Sequence, residues 1–262
     1  MNKISVVTIS FNKGKYLRRC IDSVLWQDGV PIEMIVVDPG STDGSRDIID
    51  SYGDSVVRVY ETDRGPADGL NNGFKRATGQ IYCFVNADDF LLPRSLRFVS
   101  GFFDREPTVD VLHGGGYIAD QEDALIRRYF PSSFGKRFFA YQAMNLFQQG
   151  YFFRASVYKE AGGFNEDNRI CWDAELFLRF KLQGRRFYGI SRPLGAFRRY
   201  AETITGGPEY IQKLDDEYVR LFADAMGRER QTFDQRVGHL LWAPKQFTIL
   251  FIMLRSMLRG YA

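Results

Sequence analysis

Short runs rich in valine and isoleucine alternate along the first third of the chain with stretches whose apolar positions recur every three to four residues. The runs Ile4–Ile9, Met34–Asp38, Val56–Tyr60 and Ile81–Val85 predict strands. The stretches between and after them, Lys15–Trp26, Asp43–Tyr52, Ala67–Ala77 and Pro93–Phe103, predict helices. Alternation of this kind marks βαβ units and a parallel sheet. Pro93 suits a helix start, where its missing N–H costs nothing.

Beyond Val109 the pattern changes. Val109–His113, Gly116–Ile118 and Leu125–Tyr129 are short strand-like pieces separated by glycines and acidic turns, which predicts a mixed sheet with an antiparallel hairpin. A further apolar run at Gly150–Phe153 leads into a helix through Ala161, the turn Gly162-Gly163, and a helix over Asp173–Leu182. There are no repeats and no low-complexity linker, so the body to about Tyr200 reads as one domain.

Pro208–Ala225 has the spacing of a charged amphipathic helix, and no acidic residue follows Asp234. Projected at about 100° per residue, Lys245–Arg259 puts Lys245, Thr248, Arg255, Ser256 and Arg259 on one narrow stripe. Phe247, Leu250, Phe251, Leu254 and Leu258 lie opposite. The apolar stretch is too short to span a bilayer, and three placements stay open for it: an anionic membrane surface, the body of the protein, or a homodimer partner.

At 262 residues, 45% hydrophobic and 26% charged, the chain can bury a large core, which excludes global disorder. A net charge of +3 gives no support for nucleic-acid binding. Cys20, Cys83 and Cys171 are far apart with no C-x-x-C pair, as expected of buried thiols in a reducing compartment. The predicted strand at Ile4 follows no basic and apolar leader, so a cytoplasmic location is expected. His113 and His239, the two histidines, belong to no ligand cluster and read as structural.

In open α/β sheets, ligands sit beyond the carboxyl ends of the strands. Here those ends carry Thr8, Ser10, Phe11 and Asn12, then Asp38-Pro39-Gly40-Ser41-Thr42-Asp43-Gly44, then Asn86-Ala87-Asp88-Asp89. Asp43 as a helix cap and Asp38 as a turn former are equally open readings of single residues. Adjacent carboxylates ending an apolar strand repel unless a cation or hydrogen bonds compensate, and Mg²⁺ or Mn²⁺ bridging to substrate phosphates does so. Neither a P-loop nor a G-x-G-x-x-G after the first strand is present, which argues against ATP hydrolysis and NAD chemistry.

These motifs, from Val6-Val7-Thr8-Ile9-Ser10-Phe11-Asn12 through Asp63-Arg64-Gly65-Pro66-Ala67-Asp68-Gly69-Leu70-Asn71-Asn72-Gly73-Phe74 and Ala77-Thr78-Gly79 to Gly162-Gly163-Phe164-Asn165-Glu166 and Trp172-Asp173-Ala174-Glu175-Leu176, resemble the inverting GT-A glycosyltransferases of family 2. The resemblance covers roughly Lys3 to Thr205. It implies a GT-A fold, an α/β Rossmann-like mixed sheet flanked by helices, over 1–205, with a C-terminal helical region over 206–262. It implies that Thr8, Phe11 and Asn12 line a nucleotide pocket, that Asp38 binds the base, and that Asp63 and Arg64 lie near the donor. Asn86, Ala87 and Asp88 match the DXD-like motif, with Asp88 then Asp89 on a Mn²⁺ or Mg²⁺ ion.

Asp173 matches the base that takes the acceptor's proton, with Glu175 as the fallback and a plain helix-terminal carboxylate as the bland alternative. Two departures stand out. Asn86 replaces the first acid of the motif, and Tyr200 stands where many relatives place a histidine, leaving Arg198 or Arg199 to neutralise the diphosphate. Gln148 and Gln149 are candidate sugar partners or ordinary buried amides. The implied reaction moves a sugar from a nucleotide-sugar, expected to be UDP-linked, to a saccharide or lipid-linked saccharide. The implied setting is bacterial surface-polysaccharide synthesis at the inner face of the plasma membrane. A nucleotidyltransferase and a non-catalytic sugar-nucleotide binding module are the rival readings.

Overall fold

A computed structural model describes residues 1–200 and 208–262. Its strands are β1 (Ile4–Ile9), β2 (Ile32–Val37), β3 (Val57–Val59), β4 (Ile81–Phe84), β5 (Phe90–Leu91), β6 (Val111–Ala119), β7 (Leu125–Tyr129), β8 (Tyr151–Arg154) and β9 (Phe187–Arg198). The helices are α1 (Gly14–Leu25), α2 (Ser45–Asp50), α3 (Pro66–Phe74), α4 (Ser95–Arg105), α5 (Lys136–Ala140), α6 (Ala155–Glu160), α7 (Trp172–Leu182), α8 (Pro208–Met226), α9 (Asp234–Leu240) and α10 (Trp242–Leu258).

Among the described residues the strands form one mixed sheet in the order β3-β2-β1-β4-β8-β6-β9-β5, with β7 pairing β6. The first four run parallel, and the mostly apolar sequences of β1, β2 and β4 follow from burial on both faces, whereas the edge strand β3 exposes Val57 and Arg58. Side chains alternate between two cores with the two-residue period of a strand. Val6, Met34, Val36 and Cys83 meet α1, α2 and α4, whereas Val7, Ile35, Val37, Tyr82 and Phe84 meet α3, α6, α7 and α8. Close approach matters at Gly73 of α3, where a Cβ would lie 2.4 Å from a methyl of Val7.

The chain winds outward from β1 through β2 to β3 and then returns to place β4 on the opposite side of β1. Loops leaving β1 and β4 therefore diverge, and a crevice opens at their carboxyl ends.

Three features depart from the sequence expectation. The predicted pieces Val109–His113 and Gly116–Ile118 are one strand, β6, carried through Gly114-Gly115 by shifts in its register with β9. The helix after Pro93 begins at Ser95, behind Arg94 in a left-handed conformation, so Pro93 lies in the preceding turn. The twelve-residue β9 was not anticipated. The expected boundary between 205 and 206 lies outside the described residues. On its far side, Leu221, Phe222 and Ala225 of α8 join the core that holds Phe177 and Phe153.

Helix α10 is an inverted amphipath. Its polar stripe faces the body: Arg255 donates to Gly189 O at 2.6 Å, and Ser256 Oγ accepts from Ser191 N–H at 2.9 Å. These groups belong to a stretch of β9 that lies before its pairing with β5, so α10 satisfies a strand edge. The apolar side points outward, with Phe247 72% and Leu258 88% exposed.

Candidate active site

The crevice begins with the loop after β1. Asn12 adopts a left-handed conformation at φ 52°, which asparagine tolerates better than most residues. Its Oδ1 accepts from Thr42 N–H at 2.9 Å, and its own N–H donates to Ser41 Oγ at 2.8 Å. Asn12 thus ties the β1 loop to the β2 loop. Phe11 is exposed beside it. Asp43 accepts from the N–H groups of Gly14 and Ser45, linking the starts of α1 and α2.

Asp38 ends β2 and is fully buried. Its Oδ1 accepts from the N–H groups of Gly40 and Ser41 and from Arg46 Nε at 3.1 Å, while Arg46 stacks on Tyr60. Asp38 Oδ2 has no hydrogen-bond partner, nor has the buried hydroxyl of Ser10 on the neighbouring loop. A buried carboxylate oxygen left unpaired is costly, which makes these two groups candidates for contact with a polar ligand.

Thr8 is fully buried against α1, where its Oγ1 lies 3.8 Å from Cys20 Sγ, and Cys20 Sγ in turn donates to Asn86 O at the end of β4. Ser10, two residues on, is also buried, and its hydroxyl has no partner.

Asp63 is half-buried and accepts from Gly65 N–H at 3.0 Å. Burial, together with the charges of Asp68 and Asp38, raises its carboxyl above the ordinary range. Arg64 is exposed and pairs with Asp68 and Glu166. Beneath it, Asn71 of α3 accepts from Tyr158 Oη at 2.6 Å and Phe164 N–H at 2.9 Å, and donates to Glu166 at 2.9 Å. This single amide fastens α3 to the turn after Gly163.

At the end of β4, Ala87 is buried and its N–H donates to Ile9 O, extending the β1 pairing into the loop. Asn86 leans toward Gln148 at 3.5 Å, and its Oδ1 has no partner. Asp88 faces the crevice: Tyr200 Oη donates to its Oδ2 at 2.7 Å, and Lys13 Nζ stands 3.3 Å from the same oxygen. Lys13 also donates to Tyr200 Oη at 2.6 Å, closing a three-residue cluster.

Asp89 does not join Asp88 in the crevice, contrary to expectation. It is 1% exposed, Oδ1 accepts from Arg198 N–H at 2.9 Å, and Oδ2 accepts from Gln149 Nε2 at 2.6 Å. Burial and the adjacent Asp88 charge push its carboxyl upward. Arg198 is also buried, stacked over Tyr16, and bonded to Asp88 O and Asp123, so it fixes the loop from behind. Arg199 is exposed, with its N–H on Ala119 O. Gln148 donates to Phe84 O at 2.7 Å, so both glutamines serve as buried amides.

The opposite wall is the start of α7. Trp172 packs on Phe84 and Phe164 with ring centroids 5.3 and 5.4 Å apart, which brings the next residue, Asp173, toward the end of β4. Asp173 Oδ1 accepts from Ala174 N–H at 2.8 Å. Burial raises its carboxyl from 3.8 to about 6, outweighing that bond and the favourable helix terminus. Glu175 is a different group. Burial works to raise it, but hydrogen bonds from Asn168, Arg220 and Asn165 win and hold it below the ordinary range, with all of its acceptor capacity used. His113 is buried against Tyr151, which in turn stacks on Phe177 of α7.

Among the described residues there is no group of three or more histidine, cysteine or acidic side chains able to hold a metal alone. Mg²⁺ and Mn²⁺ commonly use one or two carboxylates and fill the remaining positions with substrate phosphate oxygens and water. Asp88, the carboxylate of the motif that faces the crevice, fits that arrangement, and Asp89 does not.

The Glycosyl transferase family 2 model matches residues 5–162. A Nostoc protein described as an uncharacterized glycosyltransferase is 37% identical over 115 residues, 42% of this chain and 36% of its own length. Glycosyltransferase GlyG of Streptococcus pneumoniae is 36% identical over 124 residues, 46% of this chain and 41% of its own. The matched part thus spans well under half the length of these relatives. In structure, S. aureus TarS in complex with UDP-GlcNAc aligns over 93% of this chain and 71% of its own, with TM-score 0.67 and 20% identity. The Pyrobaculum calidifontis mannosyltransferase PcManGT in complex with GDP-Man and Mn²⁺ aligns over 92% and 69%, with TM-score 0.63 and 20% identity. The fold is that of the GT-A glycosyltransferases.

Proposed function

Because the chain belongs to glycosyl transferase family 2, we propose that it is an inverting glycosyltransferase taking its sugar from a UDP-sugar, with Asp38 reading the base and Asp173 activating the acceptor hydroxyl. The observation that carries this reading is the pair of buried, unpartnered groups Asp38 Oδ2 and Ser10 Oγ, which follow the neighbouring strands β2 and β1. A uracil ring offers one imide N–H between two carbonyls. The carboxylate oxygen accepts from that N–H, and the serine hydroxyl donates to a flanking carbonyl. Arg46 and the Gly40 and Ser41 amides hold Asp38 in place for this contact.

The diphosphate lies between the Lys13–Asp88–Tyr200 cluster and the sugar. Asp88 would hold a divalent ion, Mn²⁺ or Mg²⁺, which would supply charge stabilisation for the departing diphosphate. Lys13 and Tyr200 then contribute an ammonium and a phenol hydroxyl directed at the same charge. In the chemical step the acceptor oxygen attacks the anomeric carbon and its proton passes to an oxygen of Asp173. The bond to the diphosphate oxygen breaks with its electron pair leaving on the nucleoside diphosphate. Attack from the face opposite the leaving group inverts the configuration. A carboxylate raised to about 6 remains ionised at neutral pH and is a better proton acceptor than an ordinary aspartate.

The acceptor is a saccharide or lipid-linked saccharide, and the enzyme works in the cytoplasm at the inner face of the plasma membrane in surface-polysaccharide synthesis. No helix among the described residues is long and apolar enough to cross a membrane. Calorimetric titration with UDP and a panel of UDP-sugars, with and without Mn²⁺, tests the donor side. Binding of UDP that is strengthened by Mn²⁺ and lost in Asp38→Ala supports the reading. Equal binding by the variant overturns it, and binding without turnover of any donor leaves a non-catalytic module instead.

A further inference from the structure

Between α10 and the body lies a cavity of about 380 Å³ that none of the donor-site residues touches. Its polar lining is Lys181, Arg255, Thr248, Ser133 and His113, with no carboxylate among the lining residues. Arg255 bonds a backbone carbonyl and stacks on Tyr188 at 3.9 Å, but its Nε has no partner. His113 is 2% exposed and its Nδ1 is likewise unpartnered. Burial and the charges of Arg255 and Lys181 lower its pKa to about 3, so the imidazole is neutral within a positive field. The Thr248 hydroxyl is already engaged, donating to Lys245 O and accepting from Ser133 N–H. Two cations, the Ser133 hydroxyl and unpartnered nitrogens form a receptor for a phosphate-bearing group.

The cavity is continuous with the outward apolar face of α10, because Phe247 and Phe251 belong to both. Leu250, Leu254 and Leu258 extend that face at helical spacing, all more than half exposed. The sequence after Asp234 adds Arg236, Lys245, Arg255 and Arg259 and no acidic side chain. Of these, Arg259 is paired with Glu106. An apolar stripe joined to a cationic, hydroxyl-lined cavity has the chemistry of an anionic lipid surface, with acyl chains against the leucines and a phosphate in the cavity. A second copy of the chain fits less well, since a two-fold contact through this face would set the same cations against each other.

We infer that α10 rests on an anionic phospholipid bilayer, its apolar face in the headgroup layer and one lipid phosphate held in the cavity by Lys181 and Arg255. The inference deepens the membrane-surface part of the proposed function and is independent of donor chemistry. Cosedimentation of the full chain with phosphatidylcholine vesicles, with and without phosphatidylglycerol, tests it, alongside Lys181→Gln and Leu254→Gln.

The expected result is partition about tenfold stronger onto the anionic vesicles, reduced about fivefold by Lys181→Gln on those vesicles alone. Leu254→Gln is expected to weaken partition onto both. UDP binding, measured in parallel, stays unchanged in both variants, which separates failure here from failure of the donor assignment. Equal partition onto both vesicle types, or indifference to Lys181→Gln, overturns the inference. So does competition by inorganic phosphate without any vesicle partition, which would mean a free-phosphate site. Concentration-dependent dimerisation abolished by Leu254→Gln in a chain that ignores vesicles would mean that a second copy covers the face.

Discussion

Replacing Asp173 by asparagine is expected to remove transfer and at the same time stabilise the protein. Burial raises this carboxyl from 3.8 to about 6, a shift of about two pH units. Each unit corresponds to ~1.4 kcal/mol, so holding the ionised group in the folded state costs about 3 kcal/mol once the pH exceeds the folded value. The sign follows from linkage. Below the unfolded pKa both states are protonated and there is no penalty. Between the two values folding takes up a proton and stability falls as pH rises, and above about 6 the penalty is complete. Asparagine keeps the acceptor for Ala174 N–H at 2.8 Å and carries no charge. Desolvating its amide takes back ~1 kcal/mol. The net gain is roughly 2 kcal/mol near neutral pH, or about 4–8 °C in Tm for a domain of this size. Thermal unfolding followed from about pH 7.5 to about pH 4 should show the gain shrinking toward zero, while turnover drops about 10²- to 10⁴-fold at unchanged UDP affinity. A variant less stable than the parent at neutral pH, or a gain that does not change with pH, refutes the reasoning.

Other outcomes follow from the same geometry. The acid limb of kcat/KM should rise through about pH 6 as Asp173 ionises, and move or vanish in Asp173→Asn. Glu175→Gln should lower the urea midpoint, because Arg220 loses its buried partner at 2.6 Å, yet leave kcat within a few-fold. Gly73→Ala should cost ~1–3 kcal/mol in urea unfolding, since its Cβ would fall 2.4 Å from Val7. Asp88→Asn should abolish the strengthening of UDP binding by Mn²⁺, whereas Asp89→Asn should act on stability and leave that strengthening in place.

The parallel half of the sheet was legible because strands buried on both faces are mostly apolar, and β1, β2 and β4 supply residues to both cores. Strand β9 was not. Gly189, Pro193 and Gly195 read as breakers; β6 opposes Gly189 with His113, and Pro193 and Gly195 with Gly115 and Gly116 across register shifts. The same glycines made β6 look like two strands.

At the site, residue types were readable but side-chain direction was not. Thr8 and Ser10 are both small hydroxyls at a strand end, and only the fold shows that Thr8 Oγ1 meets Cys20 Sγ while the Ser10 hydroxyl has no partner. Adjacent aspartates likewise point apart, Asp88 outward and Asp89 onto Gln149 and the Arg198 backbone. The stripe on α10 was legible by projection, but not which side packs inward. That was settled by backbone groups of Gly189 and Ser191 that needed polar partners.

The central claim is an inverting transfer with Asp173 as the base, and the configuration of the first-formed product tests it most directly. With Mn²⁺ and UDP-α-hexoses, and water standing in for the acceptor, time-resolved proton NMR should show the β-anomer of the free sugar appearing first, followed by mutarotation. First appearance of the α-anomer, or the same rate and stereochemistry from Asp173→Asn, would contradict the account.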